Sequence, residues 1–383
     1  MSDWRAQHYR TAARKAGVSN IIVAAANQTA AATRVVNNRV PVVLTLRHLA
    51  QLSGVHYGFL RKVISRHELD PYRSFRLRKR SLPGEVARFR RITIPHPPLM
   101  AVQKWIASNI LAHGHVHDAS VAFAPRCTLL EAAQPHCDAK WLIKVDIKNF
   151  FESVTERQAF RAFRALGYQS LVAFEMARLC TRVGSIEYRS RLPKWKVDST
   201  RWSKISAYNY AFLGHLPQGA PTSPMLANLC FLPLDNAIQS VADEYGLNYT
   251  RYADDLALST SDASFSRQKA KAVIDVIYRI LRSHDFDPNL TKTKVSPPGS
   301  RKILLGLLVD GSTPKLSRDF KSTLRQHLYY LEKFGPSEHA ARCKSGSIYG
   351  LKAHIAGLIS HACQIEPDYA AERYAEFNRI PWP

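Results

Sequence analysis

The chain has 383 residues, 46% of them hydrophobic, and a formal net charge of +24 with a pI near 10. A chain of this size buries a sizeable core, in two or three subdomains of one unit. Its positive excess makes a polyanion the default partner, since phosphate binding releases condensed counterions; with no long apolar run and no signal peptide, a membrane is not expected. The six cysteines (127, 137, 180, 230, 343 and 363) include no Cys-x-x-Cys pair. Neither Cys127, His136 and Cys137 nor the run His113, His115 and His117 fits a common zinc spacing. Reduced, mostly buried thiols in a cytoplasmic protein are therefore expected.

Residues 1–40 form an Ala-rich leader of helical tendency carrying Arg5, Arg10, Arg14, Lys15 and Arg34. A helix packed on RNA or a partner fits it, and so does a frayed terminus. From Thr45 to Ser65, Leu46, Leu49, Leu52, Phe59, Leu60, Val63 and Ile64 recur at helical spacing, with a break at Ser53–Gly54. That predicts two short helices, either a packed pair or a DNA-reading helix-turn-helix. The densest basic stretch follows: Arg73, Arg76, Arg78, Lys79, Arg80, Arg88, Arg90 and Arg91 against one acid, Glu85. Phe75 to Lys79 alternates like a strand and Arg90 to Pro95 like its return, with Ser81 to Gly84 near the tip. Pro97 to Ala112 reads as an amphipathic helix whose stripe includes Leu99, Val102 and Ile106.

Trp141 to Asp146 is an apolar strand running into an aspartate, followed by the aromatic pair Phe150–Phe151. Ser153–Val154–Thr155–Glu156 reads as a capping box opening a helix over Arg157 to Leu166. Residues 181–208, polar and basic with Trp195 and Trp202, read as an insertion. Leu216 to Pro224 is a rigid Pro/Gly turn leading into a helix over Met225 to Leu232, a loop suited to bring backbone close to a nucleotide. Tyr249 to Tyr252 and Leu256 to Leu258 read as two strands with Asp254 and Asp255 at the turn between them. Ser264 to Ser283 is a serine-capped helix, Lys302 to Val309 a hairpin containing Gly306. From Lys315 onward, Leu324, Leu328, Leu331, Ile348, Leu351, Ile355, Leu358 and Ile359 mark helices.

Adjacent aspartates repel and resist desolvation, so at a buried turn they ask for a cation; otherwise the turn is solvated. Magnesium suits them, taking hard carboxylate oxygens and leaving positions for water and phosphates. With Asp146 delivered by a second strand, the set can hold two ions about 3.5–4 Å apart, the arrangement used in phosphoryl transfer.

The Asp146 strand, the block Gln218–Gly219–Ala220–Pro221–Thr222–Ser223–Pro224 and Tyr252–Ala253–Asp254–Asp255, in this order and spacing, resemble the palm of reverse transcriptases. The middle block resembles the bacterial retron-type enzymes, and the likeness runs from about residue 42 to residue 375. The resemblance implies an α+β right-hand polymerase: fingers from residue 41, a palm over 136–310 whose antiparallel sheet is flanked by helices, and a small helical thumb over 311–383. It implies that Asp146, Asp254 and Asp255, with the Ile147 carbonyl, bind two magnesium ions, manganese being an alternative. Lys79 and Arg91 would hold the incoming triphosphate, and Gln218 and Gly219 would line the nucleotide pocket. Phe151 would exclude a ribose 2′-hydroxyl by clash and so select dNTPs; as a plain core residue it would pack beside Phe150. Lys292 would donate a proton to the leaving pyrophosphate or neutralise it. Arg76, Arg78, Arg80 and Tyr252 would touch nucleic acid, and Gly306 would sit in the hairpin that grips the primer.

Two hallmarks depart from the retron pattern: Ala132–Ala133–Gln134–Pro135–His136 replaces Asn-Ala-x-x-His, and Leu304–Leu305–Gly306 replaces Val-Thr-Gly. The function implied is an RNA-directed DNA polymerase that extends a primer 3′-hydroxyl, or an RNA 2′-hydroxyl, on a structured noncoding RNA. It would retain the cDNA and serve antiphage defence with an effector or toxin partner, in an oligomer with RNA in some cases. A defence-associated group making repetitive or untemplated DNA is the alternative. From another class, a noncatalytic RNA-binding scaffold would keep the fold without the chemistry.

Overall fold

The computed structural model describes residues 4–67, 70–78, 89–123, 127–184, 193–197, 205–343 and 345–383. Two compact units emerge: Met1–Pro125 with Ile147–Ala237 and Tyr278–Pro288, and Arg126–Asp146 with Ile238–Ile277 and Asn289–Pro383. The leader folds as helices α1 (Ala6–Lys15) and α2 (Asn20–Val36), the second capped by Ser19, whose hydroxyl accepts from the Ile21 amide at 3.3 Å. Helices α3 (Leu46–Ser53) and α4 (Tyr57–Ser65) follow, the first closed by Gly54 in the left-handed region (φ 69°), where a Cβ would be strained. Strands β1 (Tyr72–Arg78) and β2 (Phe89–Pro95) then pair antiparallel, Tyr72 opposite Pro95 and Arg78 opposite Phe89. The expected tip of this hairpin, with Lys79 and Arg80, lies outside the described residues.

Helix α5 (Pro97–Asn109) is shorter than its apolar stripe suggests, because a tighter turn over Leu111–His113 takes up the end of the stripe. Helix α6 (Leu129–Ala133) carries a capping box made by Thr128 and Glu131, and β3 (Trp141–Asp146) follows it. Beyond the short α7 (Phe150–Ser153), the capping box of α8 (Glu156–Ala165) is formed by Thr155 and Gln158, two residues on from the box expected at Ser153 and Glu156. Glu156 is engaged elsewhere: its carboxylate accepts from Arg66 at 2.5 Å, Arg178 at 3.0 Å and the Gly214 amide at 3.0 Å. Next come α9 (Ser170–Cys180) and, over the expected insertion, a turn at Pro193–Trp195 with Trp195 buried; Trp202 is outside the described residues. Helix α10 (Ser223–Glu244) runs through Pro233 and is far longer than expected.

In the second unit, β4 (Asn248–Tyr252) and β5 (Asp255–Thr260) form the hairpin; α11 (Arg267–Ser283) follows, its residues from Tyr278 onward belonging to the first unit. Ser266 caps α11, its hydroxyl accepting from the Lys269 amide at 3.2 Å, while the expected cap Ser264 is bonded to Asp262 instead. Strand β6 (Lys294–Ser296) completes an antiparallel sheet of order β4-β5-β3-β6. Strands β7 (Ile303–Leu304), β8 (Leu307–Leu308) and β9 (Lys315–Leu316) make a second small sheet. Helices α12 (Arg318–Arg342), α13 (Ile348–Ile365) and α14 (Pro367–Arg379) close the chain around Leu324, Leu328, Leu331, Leu351, Ile355 and Phe377. Among the described residues no helix is long and apolar enough to cross a membrane.

The central strands β3 and β5 are buried almost throughout, so alternation fades and both read as apolar runs. Leu142 and Ala257 pack with Ala133, Leu304, Leu307 and Val309. His136, fully buried, ties this sheet together: Nδ1 pairs with the Ser259 hydroxyl and Nε2 with the Thr250 hydroxyl, both at 2.7 Å. With both ring nitrogens bonded to hydroxyls, His136 is no metal ligand here. Burial holds its imidazole neutral, lowering its pKa from 6.5 to about 4.

Replacing His136 by leucine strands the buried Ser259 hydroxyl and leaves Thr250 only its 3.4 Å bond to the Ala132 carbonyl, so urea unfolding should register a loss of about 1–3 kcal/mol at pH 7. The unfolded chain takes up a proton that the folded imidazole refuses, so this contribution is lost as pH falls from 6.5 through about 4. The gap between wild type and His136→Leu should therefore narrow at pH 4.5; an equal gap at both values would contradict the assignment.

Candidate active site

The register of the second unit's sheet sets Asp146 directly opposite Asp255, at the ends of β3 and β5. Directly opposed residues share a face, and Tyr252, which pairs with Asp255 across the hairpin, joins the same row. The turn is a two-residue loop, Ala253–Asp254, with Ala253 at φ 56°, a conformation that favours glycine. Arg251 holds this strained loop in place. Its side chain is fully buried, and Nη1 donates to the Ala253 carbonyl at 3.2 Å. Neither its burial nor this bond was legible in the sequence, where it reads as one more basic residue.

Asp146 is buried and clamped from the segment before β6. Asn289 Nδ2 donates to one carboxylate oxygen at 2.7 Å and Lys292 Nζ to the other at 2.5 Å, while the Asn289 amide donates to the Asp146 carbonyl at 2.7 Å. Asn289 is a site residue the sequence reading passed over; the local signal is an Asn opening a turn, with its Oδ1 accepting from Thr291 Oγ1 at 2.9 Å.

Asp255 lies at the exposed end of β5 yet is hemmed in by protein. Burial, then the charges of Asp254 and Asp146, raise its pKa from 3.8 to about 6 against the opposing pull of Lys292 and Lys144. Burial works against the charge on Lys292, but the Asp146 hydrogen bond and the three carboxylates outweigh it and hold the ammonium above its ordinary range. Lys144 moves the other way, through burial and the facing Lys294. Three coupled carboxylates with hard oxygens, one of them reluctant to ionise, are a donor set that a divalent cation would relieve. The residues fit magnesium.

The first unit carries a separate feature. A cavity of about 470 Å³ is lined by Arg90, Met100, Phe123, Phe151, Gln218 and Gly219, among others. Phe151 is half-buried, with its ring centroid 5.4 Å from that of Phe150 and 6.0 Å from that of Phe123. The Gln218 carbonyl accepts from the Thr93 amide at 2.7 Å. Gly219 has φ 118°, and a Cβ there would meet Ile92 Cγ2 at 2.9 Å and the Thr93 carbonyl at 3.1 Å, so only glycine lets this loop lie against β2. Arg90 is in the wall, whereas Arg91 is exposed opposite Arg76. Arg76 and Arg78 are exposed along β1. Ile147 is buried and bridges Pro288. Gly306 (φ 85°) and Leu305 (φ 51°) form the two-residue turn joining β7 and β8, with both residues at positive φ as a type I′ turn demands.

Residues 77–307 match the family described as reverse transcriptase (RNA-dependent DNA polymerase). That match covers more than half of the chain, and the fold is the right-hand polymerase fold of that family. The retron Ec86 reverse transcriptase of Escherichia coli is 29% identical over 298 residues, 78% of this chain and 81% of that protein. The retron Mx65 reverse transcriptase of Myxococcus xanthus is 30% identical over 346 residues, 88% of this chain and 71% of its own length. The retron Mx162 reverse transcriptase of the same organism is 29% identical over 304 residues, 75% of this chain and 59% of that protein. The chain belongs to the retron-type reverse transcriptases and is an RNA-directed DNA polymerase.

Because ionising Asp255 opposes folding, its unfavourable contribution grows as pH rises from about 4 through about 6. In EDTA, Asp255→Asn should melt above wild type at pH 7, with the margin shrinking at pH 4.5. Added magnesium should raise the wild-type melting temperature more than that of the variant. A variant that melts no higher than wild type at pH 7 would contradict the coupling of the three carboxylates.

Proposed function

We propose that this polymerase copies a structured noncoding RNA into DNA, extending a primer 3′-hydroxyl or an RNA 2′-hydroxyl, in antiphage defence. The observation that carries the reading is the register setting Asp146 opposite Asp255, beside Asp254, at the ends of two buried strands. Asp146, Asp254 and Asp255, with the Ile147 carbonyl, would hold two magnesium ions, or manganese in their place. Bound there, the ions would activate the attacking hydroxyl and neutralise the leaving pyrophosphate.

The chain's own groups would do the rest. Asn289 fixes the rotamer of Asp146 by donating to it. Lys292 Nζ, held charged by the carboxylates, would hand a proton to, or neutralise, the departing pyrophosphate. Lys79 and Arg91 would engage the triphosphate, while Gln218 and Gly219 form the floor on which the nucleotide rests. The Phe151 ring would clash with a ribose 2′-hydroxyl and so favour dNTPs. Arg76, Arg78 and Arg80 would bind nucleic-acid backbone, an assignment supported by the net charge of +24. Tyr252 and the Gly306 turn would steady the primer terminus. In this reading residues 1–40 are a helical leader, 41–135 the fingers and start of the palm, 136–310 the palm and 311–383 the thumb. An effector protein, assembly with the RNA and a cytoplasmic setting belong to the same proposal.

Sequencing the nucleic acid that copurifies from cells tests it, with Asp254→Asn/Asp255→Asn as the comparison. Wild type should carry one DNA species joined to a structured RNA, and the variant the RNA alone. Repetitive or untemplated DNA lost in the variant would overturn the retron assignment, and the same RNA without DNA in both samples would overturn templated synthesis.

A further inference from the structure

Helix α12 is broken. Gly335 has φ 76° and ψ 168°, which only glycine adopts readily, and Pro336 restarts the helix after it. In an unbroken helix His327 and His339 would be separated by about 18 Å along the axis, at 1.5 Å per residue. The break folds the chain back instead, bringing His327 Nδ1 to 2.9 Å from His339 Nε2. One turn beyond His339, Cys343 stands on the same helix face, and its Sγ lies 3.5 Å from the same Nε2.

The three ligand atoms lie within 4.8 Å of one another. Zinc bonds of about 2.0–2.1 Å to nitrogen and about 2.3 Å to sulfur, at tetrahedral angles, put such N and S atoms about 3.5 Å apart. A fourth donor is close by. The His354 ring, on α13, has its centroid 5.8 Å from that of His327, nearly perpendicular to it. His339 is buried and Cys343 exposed, so the corner is rigid on one side and open to an entering ion on the other. The nearby cation Arg342 is ion-paired with Glu338 at 2.7 Å, which limits its repulsion of a metal.

We propose that His327, His339 and Cys343 form a zinc site, completed by His354 or water, that locks the kinked α12 against α13. The ligands belong to different helical segments, so no contiguous zinc spacing announces them; His339-x-x-x-Cys343 is the one local trace. The site is structural in kind, with thiolate and imidazole donors suited to zinc, and it uses none of the polymerase residues. Its standing is independent of the reading of the active site.

The test uses the full chain, stripped of metal with EDTA and reloaded with zinc or with cobalt(II) as a spectroscopic probe. Wild type should retain one zinc more than Cys343→Ser or His327→Gln. Its cobalt form should show thiolate-to-cobalt charge transfer and tetrahedral d–d bands that both variants lose. Loss of a direct ligand should weaken zinc by on the order of a hundredfold or more, since even outer partners of ligands are worth 10–100-fold. Asp254→Asn/Asp255→Asn should keep the signal, separating this site from the catalytic carboxylates. Cys343 is exposed, so its serine variant keeps the fold; circular dichroism checks this. Equal zinc content in wild type and both variants, or a cobalt spectrum without thiolate character, would overturn the proposal and leave an ordinary imidazole–imidazole hydrogen bond.

Discussion

Two carboxylates facing each other across an antiparallel pair are what the rest of the second unit has to accommodate. Asp146 and Asp255 are opposed by register, and like charges in that position are destabilising unless something offsets them. The chain offsets them in stages. Asn289 and Lys292 take the two oxygens of Asp146, while Asp255, pressed by burial and by the charges of Asp254 and Asp146, keeps a raised proton affinity. A buried arginine, Arg251, pins the turn that carries Asp254. Beneath them, His136 bonds β4 to β5 through two hydroxyls. The strain is concentrated at the three carboxylates, and the surrounding core supplies the rigidity that keeps it there.

The same logic explains the opposing pH behaviour of two neighbours in this unit. His136 contributes stability that fades as pH falls towards 4, whereas Asp255 costs the metal-free fold more as pH rises towards 6. Within one pH window the two oppose each other, so neither is visible in the pH dependence of wild-type stability alone. Both effects come from burial, acting on opposite charge types.

The hairpin holding Asp254 and Asp255 was legible because strand–acid–strand patterning is local, as were the paired helices about Gly54 and the C-terminal helices built on Leu324, Leu328 and Ile355. The capping box moved by two residues because Glu156 was drawn to Arg66 and Arg178, partners far away in sequence. Helix α10 outran its expected end because Pro233 is tolerated inside it. Asn289 and Arg251 escaped notice for a common reason: each is an ordinary residue locally, and its role exists only once distant segments meet. The departure at Ala132–Ala133 left the buried His136 contacts in place, and Leu305 accepts the positive φ of its turn while packing on the core. Neither altered hallmark disturbs the sheet that carries the carboxylates.

The central claim, that Asp146, Asp254 and Asp255 act together through bound metal, is tested most directly by incorporation kinetics. A primed RNA template, labelled dNTPs and titrated magnesium would be used with wild type, Asp146→Asn and Asp254→Asn. The account predicts that each substitution lowers kcat/KM at least about a thousandfold, roughly 4 kcal/mol of transition-state stabilisation, and that extra magnesium does not restore it. Incorporation within about tenfold of wild type by either variant would contradict it.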